Sequence, residues 1–292
     1  MKLAVVTIVS GRHEHLGRQH SGLARSTVLP DDYVVVAMDD PALRAWTPAG
    51  SPTPFVTDLR GDEGRNQGRR GDEGRDQVRD DGRLPLAAAR NLGARVAFER
   101  GADVAVFLDV DCIPHPELLA RYALAAAQHP RSLLTGPVGY LPEGVDYGHP
   151  EFFDERATVH GFRPNPSPGE VETGHHDLFW SLSFAVSRAT WNALDGFFEG
   201  YSGYGGEDTD FGLSAHDRDV DLVWVGGALA YHQFHETQDP PVQHLDDILA
   251  NGSLFESRWG FWPMRGWLDG FERLGLVRRD ATGIYTRTGV TP

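Results

Sequence analysis

The chain has 292 residues, enough for one large domain or two small ones, and 40% of them are apolar, enough for a sizeable core. Its formal net charge is −15, and Lys2 is the single lysine among 27 basic residues. That balance argues against a nucleic-acid or membrane-surface binder, because phosphate backbones are held by Lys and Arg patches. One cysteine, Cys112, excludes an internal disulfide framework and a cysteine zinc site.

MKLAVVTIVSGR is too short for a signal peptide and runs straight into charge, so LAVVTIV (3–9) reads as a central parallel strand. No run reaches the roughly 18 apolar residues of a spanning helix. The expectation is a cytoplasmic protein with no stable membrane insertion. A loop, SGRHEH, and a helix over 16–27 follow. YVVVAMDD (33–40) is a second buried strand ending in acid, and PFVTDL (54–59) a short third.

GDEGRNQGRR (61–70) and GDEGRDQVRD (71–80) form a tandem repeat with Val78 as its one apolar side chain. Such a segment cannot bury enough surface to offset its ordering entropy, so 61–83 reads as a flexible insertion. LPLAAARNLGARVAFERG (84–101) is a helix with a glycine stop. VAVFLDVD (104–111) is a strand, PELLARYALAAAQHP a helix and LLTGPVGYL a further strand. Residues 148–174 read as a long loop region. LFWSLSFAVS (178–187) is a strand, RATWNALDGF a short helix, and DLVWVGGALAYHQF (221–234) contains another strand. The remainder, from His244 to Val277, reads as helical and is dense in aromatics.

Alternating strands and helices predict an α/β fold: a Rossmann-like mixed, mostly parallel sheet flanked by helices, with a C-terminal helical extension. Ligands in such sheets bind beyond the carboxyl ends of the strands. Asp39/Asp40 and Asp109/Asp111 stand at such ends. In an extended segment residues i and i+2 point the same way, so Asp109 and Asp111 can face one site. Two hard oxygen ligands suit Mg²⁺ or Mn²⁺ bound to a substrate phosphate. A solvated turn capping the next helix is the alternative.

GYSGYGGEDTDFG (200–212) places glycines, which let backbone approach a ligand, immediately before Glu207, Asp208 and Asp210. Acids there suit a helix N-terminus, which accounts for Asp210. Glu207 and Asp208 can contact a hydroxyl-rich substrate, and one of them can serve as general base. In YHQFHE (231–236) the two histidines at i and i+3 are either structural or metal ligands.

These stretches carry a resemblance. VFLDVDCIP resembles the D-V-D segment of β-1,4-galactosyltransferases, and FWSLSFAVSRATWNALDGFFEGYSGYGGEDTDFG is similar to their strand, helix, glycine loop and G-G-E-D, in the same order. LAAARNLGARVA resembles the A-R-N-x-G helix of family 2 glycosyltransferases. The likeness covers roughly residues 1–236 and implies a GT-A catalytic domain there, with 237–292 as a helical extension packed on it.

It also implies roles. Asp111 and His232 would ligate Mn²⁺ or Mg²⁺, with Asp109 at the metal or the donor ribose. Asp208 would be the general base and Glu207 would hold hydroxyls. Thr7, Asp39, Asp40, Arg90, Gly205 and Gly206 would line the nucleotide-sugar site, Arg90 on its diphosphate side. The implied activity is metal-dependent, inverting transfer from a nucleotide-diphosphate sugar, UDP-linked in that family pattern, to a carbohydrate or other hydroxyl acceptor. Two alternatives are a nucleotidyltransferase, for which SGRHEH is a poor phosphate loop, and a non-catalytic sugar-binding module. The galactosyltransferases carry a tryptophan where this chain has Ser202, and a methionine ligand where it has Leu229, so the resemblance leaves donor sugar and acceptor open. Trp259, Trp262 and Trp267 are expected in core packing, with stacking on acceptor sugars as the alternative.

Overall fold

The computed structural model describes residues 1–59 and 83–290; the tandem repeat expected to be a flexible insertion lies outside the described residues. The order begins β1 (Leu3–Val9), α1 (His13–Ala24), β2 (Asp32–Ala37), β3 (Pro54–Asp58), α2 (Leu86–Glu99), β4 (Val104–Leu108) and β5 (Cys112–Pro114). It continues with α3 (Leu118–Gln128), β6 (Leu133–Thr135), β7 (Val138–Tyr140), α4 (Phe153–Arg156), β8 (Thr158–Val159), β9 (Val171–Thr173), β10 (Ser183–Ser187), α5 (Arg188–Leu194) and α6 (Glu207–Asp217). The last elements are β11 (Leu222–Val225), β12 (Ala230–His232), α7 (Leu245–Trp259), α8 (Arg265–Arg273), β13 (Val277–Arg279) and β14 (Tyr285–Arg287).

The main sheet has eight strands in the order β3-β2-β1-β4-β10-β6-β11-β9. The first four are mutually parallel, and β10 runs antiparallel between β4 and β6. This is the Rossmann-like mixed α/β class expected from the sequence. β1 is buried along its whole length, and its side chains alternate between two cores. Ala4, Val6 and Ile8 pack with α2, α5 and α6, whereas Leu3, Val5 and Val9 pack with α1 and α3. Gly93 of α2 lies so close to β1 that a Cβ there would meet Val6 Cγ1 at 2.3 Å.

Several expected elements divide. LLTGPVGYL is two strands, and so is the segment 221–234. β6 and β11 pair parallel in the main sheet, while β7 and β12 pair parallel in a second, four-stranded sheet, β5-β12-β7-β8. Both chains break side by side, at Gly136-Pro137 and at Gly226-Gly227. A Cβ on Gly136 would meet the Ala228 carbonyl oxygen at 2.0 Å, so only glycine allows the crossing. The loop region 148–174 contains α4, β8 and β9, the last forming the main sheet's edge. The aromatic C-terminal stretch is helical through α7 and α8 but ends in a hairpin, β13–β14, that periodicity did not reveal. Trp262 is buried in the cluster that α7, α8 and the hairpin share. No helix among the described residues is long and apolar enough to cross a membrane.

Candidate active site

The strand expected to run to Asp111 stops at Leu108. Cys112 N–H donates to the Asp109 carbonyl at 2.8 Å, closing a turn over 109–112. The two acids therefore lie in a turn rather than in an extended strand, and they meet different partners. Gln19 fixes this turn from beneath: its Nε2 donates to the carbonyls of Asp109 (2.7 Å) and Cys112 (3.0 Å). Its Oε1 accepts from Thr7 Oγ1 (2.8 Å) and Tyr33 OH (2.9 Å). Thr7, expected to line the nucleotide pocket, is fully buried in this network.

Beyond the turn, β5 pairs antiparallel with β12, setting Cys112 against His232. That register carries Asp111 to the histidines. His232 Nε2 lies 3.7 Å from Asp111 Oδ1, and His235 Nε2 lies 3.6 Å from Asp111 Oδ2. One ligand atom from each of Asp111, His232 and His235 falls within 4.8 Å of the others, a cluster able to hold a divalent cation. Asp109 is not part of it. Burial pushes the Asp111 carboxyl up, but the nearby His235 and His232 imidazoles and the Arg12 guanidinium outweigh it and hold it at about 2. Burial lowers His232, which favours the neutral imidazole a metal requires.

Arg12 also reaches this cluster, its Nη1 donating to Asp111 Oδ2. It sits in left-handed backbone, φ 49, at the N-terminal cap of α1. Asp40 braces it from both sides, accepting from Gly11 N–H at 2.8 Å and bonding His13 Nε2 at 2.7 Å. Asp40 thus supports the loop after β1, and Asp39 beside it is exposed with φ 51.

The second cluster lies on the other side of the turn. Arg90, expected on the diphosphate side, is buried among carboxylates. Its Nη2 is 3.1 Å from Asp109 Oδ1, and its Nη1 is 3.3 Å from Glu207 Oε1 and 4.0 Å from Asp208 Oδ1. Burial disfavours the guanidinium charge, but Asp109, Asp208 and Glu207 reverse that and raise its pKa. Three acids against one cation leave excess negative charge. Asp109 rises to about 6, mainly through burial, against the pull of Arg90. Glu207 rises to about 7, through burial and then the neighbouring Asp208. Asp208 is fixed by Ser181, which donates from its backbone N–H (3.1 Å) and its Oγ (2.7 Å). Of the pair at the start of α6, Asp208 is the one that reaches solvent, its side chain 27% exposed against 8% for Glu207.

The glycine loop before α6 is held by the C-terminal helix α7. Asn251 donates to the carbonyls of Ser202 (3.1 Å) and Tyr204 (3.3 Å) and accepts from Ser202 N–H (3.3 Å). Asp247 accepts from Tyr204 N–H at 3.2 Å. Gly203, Gly205 and Gly206 all have positive φ, and a Cβ on Gly205 would meet Met264 Sδ at 2.7 Å. Gly205 and Gly206 therefore serve the packing of this loop on the extension. Asp210 is a tie rather than a surface acid: it accepts from Tyr201 OH, Arg258 Nε and Trp259 Nε1 at 2.7–2.9 Å. Trp267 packs against Tyr204, with ring centroids 5.7 Å apart.

Sequence reasoning noticed the histidine pair and the two acids of α6 but not Arg12, Ser181 or Gln19. Their roles arise from the turn after β4 and the reversed strand β10, which no local pattern announces.

No family model matches the chain. It is 28% identical over 246 residues to validoxylamine A glucosyltransferase of Streptomyces hygroscopicus subsp. limoneus, covering 76% of this chain and 49% of that protein. The corresponding enzyme of subsp. jinggangensis (strain 5008) is 27% identical over 246 residues, covering 76% and 53%. The chain thus spans about half the length of these curated relatives. The crystal structure of GalNAc-T7 with UDP, GalNAc and Mn²⁺ superposes with a TM-score of 0.56 at 14% identity, over 80% of this chain and 44% of that one. S. aureus TarS 1–349 with UDP-GlcNAc gives 0.52 at 14% identity, over 87% and 66%. The fold is a glycosyltransferase-like one.

Proposed function

We propose that this chain is a metal-dependent, inverting glycosyltransferase. It moves a sugar from a nucleotide-diphosphate donor, UDP-linked, to a hydroxyl acceptor. Residues 1–236 are its catalytic unit and 237–292 an extension on it. The observation that carries this reading is the pair of clusters on either side of one turn: Asp111, His232 and His235 beyond it, Asp109, Glu207 and Asp208 with Arg90 behind it. Sequence likeness to the glucosyltransferases supports the reaction class and makes glucose the first donor to try.

Asp111, His232 and His235 would hold the cation. The mixed imidazole–carboxylate set suits Mn²⁺ better than Mg²⁺, which prefers all-oxygen shells. When bound, the cation supplies charge stabilisation for the departing diphosphate. Asp208 takes the proton of the acceptor hydroxyl, and Ser181 keeps its carboxylate aimed. Glu207, turned inward to Arg90, holds sugar hydroxyls and sets the field around Asp208. Asp109 and Arg90 position both acids.

The test is turnover of UDP-glucose with validoxylamine A as trial acceptor. Asp208→Asn is expected to lower turnover by about two to four orders of magnitude while leaving UDP binding intact, the usual worth of a general base. EDTA is expected to abolish activity and Mn²⁺ to restore it. Full activity in Asp208→Asn, or indifference to chelator, overturns the reading. Nucleotide-sugar binding with no turnover in the native chain would favour the binding-module alternative.

A further inference from the structure

The contact between Arg12 and Asp111 joins two requirements that cannot be met at once. Asp111 is buried, and a buried carboxylate needs a counter-charge. Its Oδ1 faces His232, and its Oδ2 faces both His235 and the Arg12 guanidinium. A divalent cation held by this set, on either oxygen, would stand beside a like charge already in contact with the same carboxylate. Arg12 and the cation therefore compete for one carboxylate.

Arg12 is built to lose that contest without disturbing the loop. Its backbone is pinned: Leu16 N–H donates to its carbonyl at 3.0 Å, and Asp40 braces Gly11 and His13 on either side. Its side chain is 40% exposed, so the head group can leave while the pivot stays. The planar guanidinium also matches phosphate oxygens in two-pronged geometry.

We propose that Arg12 is a stand-in counter-ion, neutralising Asp111 until a divalent cation arrives, then yielding that carboxylate and turning to the diphosphate of the donor. This rests on the metal-dependent reading above and adds a consequence to it. A residue that opposes the metal alone but favours metal and diphosphate together makes the two bind cooperatively, and the coupling must be reciprocal.

The experiment is Mn²⁺ titration of the full chain, followed by electron paramagnetic resonance of free Mn²⁺, with and without UDP. In the native protein UDP is expected to tighten Mn²⁺ binding by about tenfold or more, within the usual range of such couplings. Arg12→Met is expected to bind Mn²⁺ alone about tenfold more tightly, with the effect of UDP reduced to about threefold or less. Arg12→Lys, which keeps the charge but not the fork, is expected to fall between them. Arg12→Gln provides a second neutral variant should Arg12→Met fold poorly. Mn²⁺ binding by the neutral variants that is equal to or weaker than native overturns the proposal, since a merely structural arginine would give that result. Failure of the native chain to bind Mn²⁺, with or without UDP, removes the metal site itself and the competition with it.

Discussion

The two clusters flanking the 109–112 turn use the same side-chain chemistry in opposite ways. On the side of the candidate metal cluster one carboxylate, Asp111, meets two imidazoles and a half-exposed arginine, and its acidity is strengthened to about 2. On the base side three carboxylates crowd one sealed arginine, and Glu207 is weakened to about 7. Burial is strong at both. The partners make the difference: one acid faces an arginine and two imidazoles in the first cluster, and three acids face one arginine in the second. Two carboxylate environments of opposite character are thus separated by a single turn of chain.

The sharpest way to break the contrast is to remove its one metal-side acid. Asp111→Asn is expected to weaken Mn²⁺ binding by at least about 100-fold, beyond what loss of an outer partner costs, as measured by titration. The base-side acid gives a pH signature of opposite character. The folded-state pKa of Glu207 lies above its ordinary value of 4.5, so the folded chain keeps a proton that the unfolded chain releases. That stability is complete below pH 4.5 and is lost as pH rises through about 7. Glu207→Gln is expected to flatten the fall in unfolding free energy between pH 5 and 7.5 by about 2 kcal/mol, read from denaturant titrations. The smallest effect concerns the loop that carries these acids. Asn251→Ala removes three hydrogen bonds to residues 202–204 and is expected to cost about 1–2 kcal/mol of stability, seen as a lowered melting temperature.

The sequence announces the two clusters unequally. Strands with continuous Val and Ile runs, such as β1 and β2, are legible because burial on both faces demands them. Asp208 and His232 are legible as candidates, one after a glycine-rich run and one after an apolar run. The partnerships are not legible. Arg90 reads as a phosphate ligand, since nothing local says that acids 19 and 117 residues away converge on it. The turn at 109–112 is not legible either: the apolar run to Leu108 reads on into Asp111 as one extended strand. The splitting of β6 from β7 and of β11 from β12 escapes because Gly136-Pro137 and Gly226-Gly227, though they interrupt the apolar runs, do not by themselves record a change of sheet. Only the tight approach at Gly136 forces it.

The reversed strand β10 has one further effect. In a wholly parallel sheet, every segment leading into a strand lies at the end of the sheet opposite the ligand crevice. Because β10 alone among the central strands runs backwards, its leading residues lie where β4 ends. Ser181, two residues before β10, can therefore reach Asp208 without a connecting loop crossing the cleft. Inverting one central strand thus lets that rim of the sheet present a segment that precedes a strand beside segments that follow strands.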